Sequence, residues 1–363
     1  MRASALIVGL ALACAVTAAL GGSVPPAGAV TTLPDPATWS NARIAAQLTF
    51  GCVDAADTAG ARAQARAGLG GTTLLGSDAP VDLAARLATV RAAAPTGYPD
   101  PFIASDEEGG RVQRLSRLIY PLPSAKTMGA TWTTTRMHST AVDYGTRMRR
   151  LGVTMDLSPD TDLAIPGYYI DSLARGFSAD PHRVSTDVNA WVTGLLAARV
   201  APVIKHWPGH GQATNSHVGA AVTPALSVLQ ARDMIPFQDE FARHAPVVMV
   251  GHLSVPGLTE GALPATESPQ ALSYLRTHAG PSTLIITDSL SMAAASTAIH
   301  RTIPQAAVAA LRAGADVALT CSTVGVVTAI ARAISTGVLP RSAALAKVRR
   351  LLAVKNRAGL ALR

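Results

Sequence analysis

Val200-Ala201-Pro202-Val203-Ile204-Lys205-His206-Trp207-Pro208-Gly209-His210-Gly211 begins as five apolar residues and turns polar at Lys205. A short apolar run bounded by proline and glycine reads as a buried strand. Similar runs stand at Leu48–Val53, Gly71–Leu75, Pro101–Ala104, Val153–Leu157, Pro246–Val250, Thr283–Ile286 and Ala315–Thr320, which makes eight in all. Between them lie amphipathic stretches with apolar residues near a 3.6 period, among them Val81–Ala94, Asp187–Ala198, Gln270–His278 and Gln305–Ala313. Strands alternating with helices predict βαβ units and a parallel sheet. Eight units predict an α/β fold of the (β/α)8, TIM-barrel type in a single domain. An open doubly wound sheet is the other arrangement, but no G-x-G-x-x-G follows the first run.

The polar residues have a direction. Pro101–Ala104 runs into Asp106-Glu107-Glu108, Val153–Leu157 into Asp160-Thr161-Asp162, and Val200–Ile204 into Lys205-His206. Pro246–Val250 runs into His252, and Thr283–Ile286 into Asp288. Charged and imidazole groups thus gather just after the apolar runs, where a parallel barrel carries its active site.

Residues 1–29 read as a leader. Arg2 precedes an apolar run from Ala3 to about Leu20, and Ala27-Gly28-Ala29 has the A-x-A form of a cleavage site. Export with cleavage after Ala29 places residues 30–363 outside the cell or at the wall. Cys14 offers a lipoprotein anchor as the minor alternative. No second apolar span follows, so no membrane span is expected. The 31 basic and 23 acidic residues give +8. Such a surplus suits an anionic envelope polymer, and the absence of a basic run interleaved with aromatics argues against nucleic acid. Cys52 lies late in the first run and Cys321 follows the eighth. Closing the barrel makes those strands neighbours, which predicts a Cys52–Cys321 disulfide in an oxidising compartment.

Three segments hold the candidate chemistry. Lys205–His217 carries three histidines, but Pro208 and Gly209 break the helix that a zincin needs, and no Glu lies between His206 and His210. No metal or other cofactor is expected, and His210 reads as structural. Asp288 ends an apolar strand with no adjacent cation in sequence, as a nucleophile, a general base or a plain acceptor would. Asp106, Glu107 and Glu108 form the third segment, where capping and salt bridging of the Gly109-Gly110 turn occupy at least one carboxylate.

Asp106–Arg114 (DEEGGRVQR), Lys205–His217 (KHWPGHGQATNSH) and Thr287–Met292 (TDSLSM) together resemble the β-N-acetylglucosaminidases of glycoside hydrolase family 3. The likeness is nearest to the single-barrel branch that acts on peptidoglycan muropeptides, and it extends to Arg175-Gly176-Phe177 and Ala313-Gly314-Ala315-Asp316. It implies a retaining exo-β-N-acetylglucosaminidase, monomeric, whose partner is an N-acetylglucosamine-containing glycan or muropeptide. Asp288 is then the nucleophile and His217 the acid/base. Asp106, Arg114, Arg175, Lys205 and His206 then hold the sugar.

One position departs from that pattern. The family places Asp two residues before the catalytic His, and this chain has Asn215. An amide can accept the imidazole hydrogen bond but carries no charge to stabilise imidazolium. The analogous Asp→Asn change in a serine-protease triad costs about 10^4 in turnover. Two other functions therefore stay open: a glycan-binding protein of little or no turnover, and a β-N-acetylglucosaminide phosphorylase.

Overall fold

The computed structural model describes residues 35–360, so the expected leader and Cys14 lie outside the described residues. Five strands in chain order, β1 (Thr49–Asp54), β2 (Gly71–Leu75), β3 (Phe102–Ser105), β4 (Met155–Asp156) and β5 (Ala201–Pro202), lie side by side. Three more, β6 (Ile204–Trp207), β7 (Val247–Val250) and β8 (Leu284–Thr287), form a second sheet in the order β8-β7-β6. The last, β9 (Ala318–Leu319), pairs with β1. Every one of these ladders is parallel. Only Val203 separates β5 from β6, and a bridge between Ile286 and Val317 links β8 to the segment entering β9. The result is an α/β fold on a curled parallel sheet.

Two expectations about the strands need correction. The run Val200–Ile204 is not one strand, because Pro202 has no N–H to give to a ladder. The chain shifts there, and the Val203 N–H is shared between the Asp156 and Ser158 carbonyls, each at 3.0 Å. Strands β3 and β8 also run one residue further than expected, to Ser105 and Thr287, both fully buried. Apolar patterning misses polar residues that stay in the ladder and bury their side chains.

Helix α1 (Asn41–Gln47) precedes the first strand; α2 (Thr58–Arg66), α3 (Leu83–Ala92), α4 (Thr134–Leu151), α5 (Pro181–Ala197), α6 (Ile235–Ala242), α7 (Pro269–Ala279) and α8 (Ile303–Ala313) lie between strands; α9 (Val326–Ser335) and α10 (Arg341–Arg357) follow the last. Their starts are encoded locally. Thr133 accepts from the Arg136 N–H at 3.2 Å, and Thr302 with Gln305 forms a reciprocal capping box. Alternate strand residues divide into two cores, as a pleated strand requires. Phe50, Phe102, Met155, Val203, Val247 and Leu284 share one cluster, whereas Ile103, Val248 and Ile285 join the helix-facing one. The end of α10 supplies Leu351 and Val354 to the first cluster, and the residues just past it supply Ala358 and Leu360, which together plug the foot of the sheet. The opposite end, where the strands finish, is open. Near that end Cys52 and Cys321 are joined in a disulfide, their Cα atoms 4.5 Å apart.

Candidate active site

A cavity of about 450 Å³ opens at the C-terminal ends of the strands. Asp106, Arg114, Arg175, Lys205, His206, His217 and Asp288 all line it, so residues up to 182 positions apart in sequence converge on one space. That convergence follows from parallel strands, whose carboxyl ends all emerge on one side. Asn215 does not line the cavity but touches His217, and Cys52 and Cys321 form part of the wall.

Asp288 follows β8 directly. Its backbone N–H extends the ladder to the Val250 carbonyl at 2.9 Å, and its Oδ1 accepts from the Ser289 N–H at 2.7 Å. Burial alone would raise the carboxyl pKa, but His206, His252, the Ser289 N–H and His217 outweigh it and hold Asp288 below the ordinary aspartate range. It therefore stands ionised near neutral pH.

His217 sits on the loop after β6. Asn215 Oδ1 accepts both the His217 backbone N–H at 3.0 Å and the ring Nδ1–H at 2.9 Å. Turning the amide over would set its NH2 against two donors, so the oxygen stays inward. This arrangement fixes the tautomer and leaves Nε2 free of that contact. Burial pushes the imidazole pKa down, only partly offset by Asp288.

The remaining residues form a charge lattice. Lys205 Nζ donates to Asp106 Oδ1 at 2.8 Å and lies 2.6 Å from Glu108 Oε1. Arg175 grips Glu108 through two bonds of 2.8 Å and approaches Asp160 Oδ2 at 3.3 Å. Arg114 reaches Asp106 Oδ2 at 3.5 Å. His206 Nδ1 donates to Asp162 Oδ2 at 2.7 Å, which turns its Nε2 toward the Arg175 guanidinium at 3.5 Å. Burial opposes the charge on Glu108, but Arg175 and Lys205 overcome it and hold the carboxyl well below its usual range. Burial and then Asp162 push Asp160 up to about 8.

Glu107 is the structural member of its trio. Ser105 Oγ at 2.5 Å and Tyr144 OH at 2.7 Å donate to it, and burial pushes its pKa up to about 7. His210 is buried, and its backbone N–H donates to Asp162 at 2.7 Å. Asp160, Asp162 and His206 offer ligand atoms within 4.8 Å of one another. Yet Arg175 faces Asp160, and Asp162 already takes the His206 ring and the His206 and His210 backbone N–H groups. That is the donor set of an ion-pair and hydrogen-bond network, which fits a cation poorly.

The sequence places four further participants past the apolar runs but assigns them no role: Glu108, the hub of Arg175 and Lys205, with Asp160, Asp162 and His252. The signal for the two aspartates and His252 was their place just past an apolar run. No sequence feature distinguished Glu108 from Glu107, because alternation in a short hairpin (Glu107–Gly109 paired with Val112–Gln113) sends them to opposite sides.

The pattern described as the glycosyl hydrolase family 3 N-terminal domain matches residues 67–354. The β-hexosaminidase LpqI of Mycobacterium tuberculosis is 38% identical over 328 residues, covering 86% of this chain and 82% of that protein. A crystal structure of a glycosyl hydrolase of the GH3 family from Mycobacterium smegmatis superposes with a TM-score of 0.78 at 37% identity, covering 90% of this chain and 98% of that one. The β-N-acetylhexosaminidase of Beutenbergia cavernae gives a TM-score of 0.79 at 26% identity, covering 87% of this chain and 98% of that one. With the family's pattern spanning most of the chain and a relative this similar over its length, the protein belongs to glycosyl hydrolase family 3 and is a glycoside hydrolase.

Proposed function

We propose that the protein is a retaining exo-β-N-acetylglucosaminidase that releases terminal β-linked N-acetylglucosamine from peptidoglycan-derived or related glycans. Relatives named β-hexosaminidase and β-N-acetylhexosaminidase support the sugar class. One observation carries the chemistry: an ionised Asp288 and a tautomer-fixed His217 line the same cavity.

Protonated His217 gives its Nε2 proton to the glycosidic oxygen while Asp288 attacks the anomeric carbon. The bond to the aglycone breaks as a glycosyl ester forms. Neutral His217 then takes a proton from water, whose oxygen displaces the Asp288 carboxylate. Two inversions give net retention. Asp106, Arg114, Arg175, Lys205 and His206 hold the N-acetyl sugar against this pair.

We also read the curled sheet as a (β/α)8 barrel in one domain over residues 30–363, because each strand neighbour follows in order and the Ile286–Val317 bridge spans the last gap. Residues 1–29 are read as an export leader cleaved after Ala29, which places the enzyme outside the cell or at the wall. A lipid on Cys14 is the other form. Among the described residues no helix is long and apolar enough to cross a membrane.

A 5-fluoro glycosyl fluoride should label Asp288. Asp288→Ala should abolish both labelling and hydrolysis of p-nitrophenyl N-acetylglucosaminide. Labelling of Asp106 or Glu108 overturns the assignment. Release of sugar 1-phosphate in phosphate buffer identifies a phosphorylase, and sugar binding without cleavage identifies a binding protein.

A further inference from the structure

The foot of the sheet, opposite the cavity, is built from helix C-termini. Cations favour that end of a helix dipole. Arg66, Arg91, Arg149, Arg150, Arg312, Arg332 and Arg357 all fall in the last turns of their helices. The dipole accounts for a basic foot but not for its arrangement around the end of α10.

There Arg149 donates to the Ala358 carbonyl at 3.0 Å, and Arg199 packs so close to Gly359 that a Cβ on that glycine would meet its guanidinium at 2.4 Å. Arg199 and Arg357 line one dimple of about 30 Å³ with Leu196, Val200, Pro246 and Val354. Burial and then the neighbouring charges of Arg199 and Arg91 press the Arg149 pKa down. Like charges have thus been brought together. The nearby acids are committed elsewhere: Asp316 to Arg276 and Arg350, and Asp100 beside Lys355. Among the described residues Arg199 and Arg357, both exposed, pair with no carboxylate.

The backbone adds an independent observation. Helices α4 and α5 end in the same turn, with Val153 N–H to the Met148 carbonyl at 2.9 Å and Val200 N–H to the Leu195 carbonyl at 3.0 Å. Its left-handed residue is Gly152 (φ 95°) after α4 but Arg199 (φ 59°) after α5. Glycine is the residue this turn favours, and another residue there costs on the order of 1 kcal/mol. The chain carries a guanidinium at that strained position.

We propose that this foot, centred on Arg149, Arg199 and Arg357, is a docking face for a linear phosphodiester polymer of the polyol-phosphate kind. Guanidinium forks suit phosphate oxygens. The dimple is too small for a folded ligand, so the face suits a chain lying across it. No aromatic side chain lines the dimple, so the bases of a single strand would find no stacking platform there.

Binding to poly(glycerol phosphate) over a series of salt concentrations tests this. The unaltered protein should bind with an affinity that falls as salt rises. Arg199→Gln with Arg357→Gln should weaken binding on the order of tenfold at low salt and flatten the log–log salt slope by about 1.4, at ~0.7 per lost phosphate contact. Arg62→Gln with Arg136→Gln removes the same charge from exposed sites away from the foot and should change little. Hydrolysis of a soluble substrate should be unaltered in both. Arg199→Gly should raise thermal stability while weakening the polymer. Equal weakening by both double variants, intact binding by Arg199→Gly, or tighter binding to phosphatidylglycerol vesicles or duplex DNA than to the polymer overturns the proposal.

Discussion

At the scale of single residues, Asn215 decides how fast the site can run. Its oxygen orients the His217 ring through a 2.9 Å contact but offers no charge to the imidazolium. Asn215→Asp should therefore raise turnover of an N-acetylglucosaminide by roughly tenfold or more, bounded by the ~10^4 of the protease analogue. The pH profile gives a second reading. His217 is held below its ordinary ~6.5 and Asp288 below ~3.9, so both limbs of the kcat/KM bell should lie under those values. The added carboxylate favours imidazolium and should move the basic limb upward, leaving the acid limb in place. An unmoved basic limb would remove His217 from the mechanism. Glu108 is a different kind of residue. It is the shared counter-charge of Arg175 and Lys205 and is 4% exposed. Glu108→Ala should cost about 3 kcal/mol in urea unfolding, because two buried cations lose a common partner. Among the cavity-lining candidates Asp106, Lys205, His206 and Asp288 are legible because each stands just past an apolar run, whereas Arg114, Arg175 and His217 come only with the family resemblance. The lattice that holds them is not legible, since Glu108, Asp160 and Asp162 act through contacts made by folding alone.

At the scale of elements, the α4–α5 crossing depends on a missing side chain. A Cβ at Gly194 would lie 2.6 Å from both Ala141 Cβ and the His138 carbonyl oxygen. Backbone cannot yield cheaply, so Gly194→Ala should destabilise by about 1–3 kcal/mol even though alanine is the better helix former by ~1 kcal/mol. A urea midpoint at or above that of the unaltered protein would refute this. The sequence marks such a helix well and its packing poorly. The stretch Asp187–Ala198 showed the α5 periodicity but not that Pro181 begins the helix behind Asp180, whose carboxylate accepts from the His182 N–H at 2.9 Å. The α/β alternation was legible from runs such as Gly71–Leu75. The break at Val203 is not legible, because Pro202 fits an apolar run yet has no N–H for the ladder.

At the scale of the whole molecule, ion pairing differs between the two ends: the carboxylates and cations of the open end are paired with one another, whereas Arg199 and Arg357 at the foot have no carboxylate partner among the described residues. The disulfide works at the same scale, tying the first strand to the segment after the last across 269 positions of sequence. In the chain-entropy account a loop of that length contributes on the order of 5–6 kcal/mol. Replacing both Cys52 and Cys321 by Ala should lower the unfolding free energy by about that amount, as read by urea denaturation without reductant. Since both sulfurs stand in the cavity wall, the same variant should also raise KM more than it lowers kcat. The cross-link has a topological consequence as well. Everything from Cys52 to Cys321 is a covalent ring, with no other cysteine inside it to exchange partners. A protease that nicks the exposed loop around Val218 cuts that ring once and releases nothing. The two pieces travel as one band until a reductant parts them, so the enzyme can be clipped beside its own active site and still hold together.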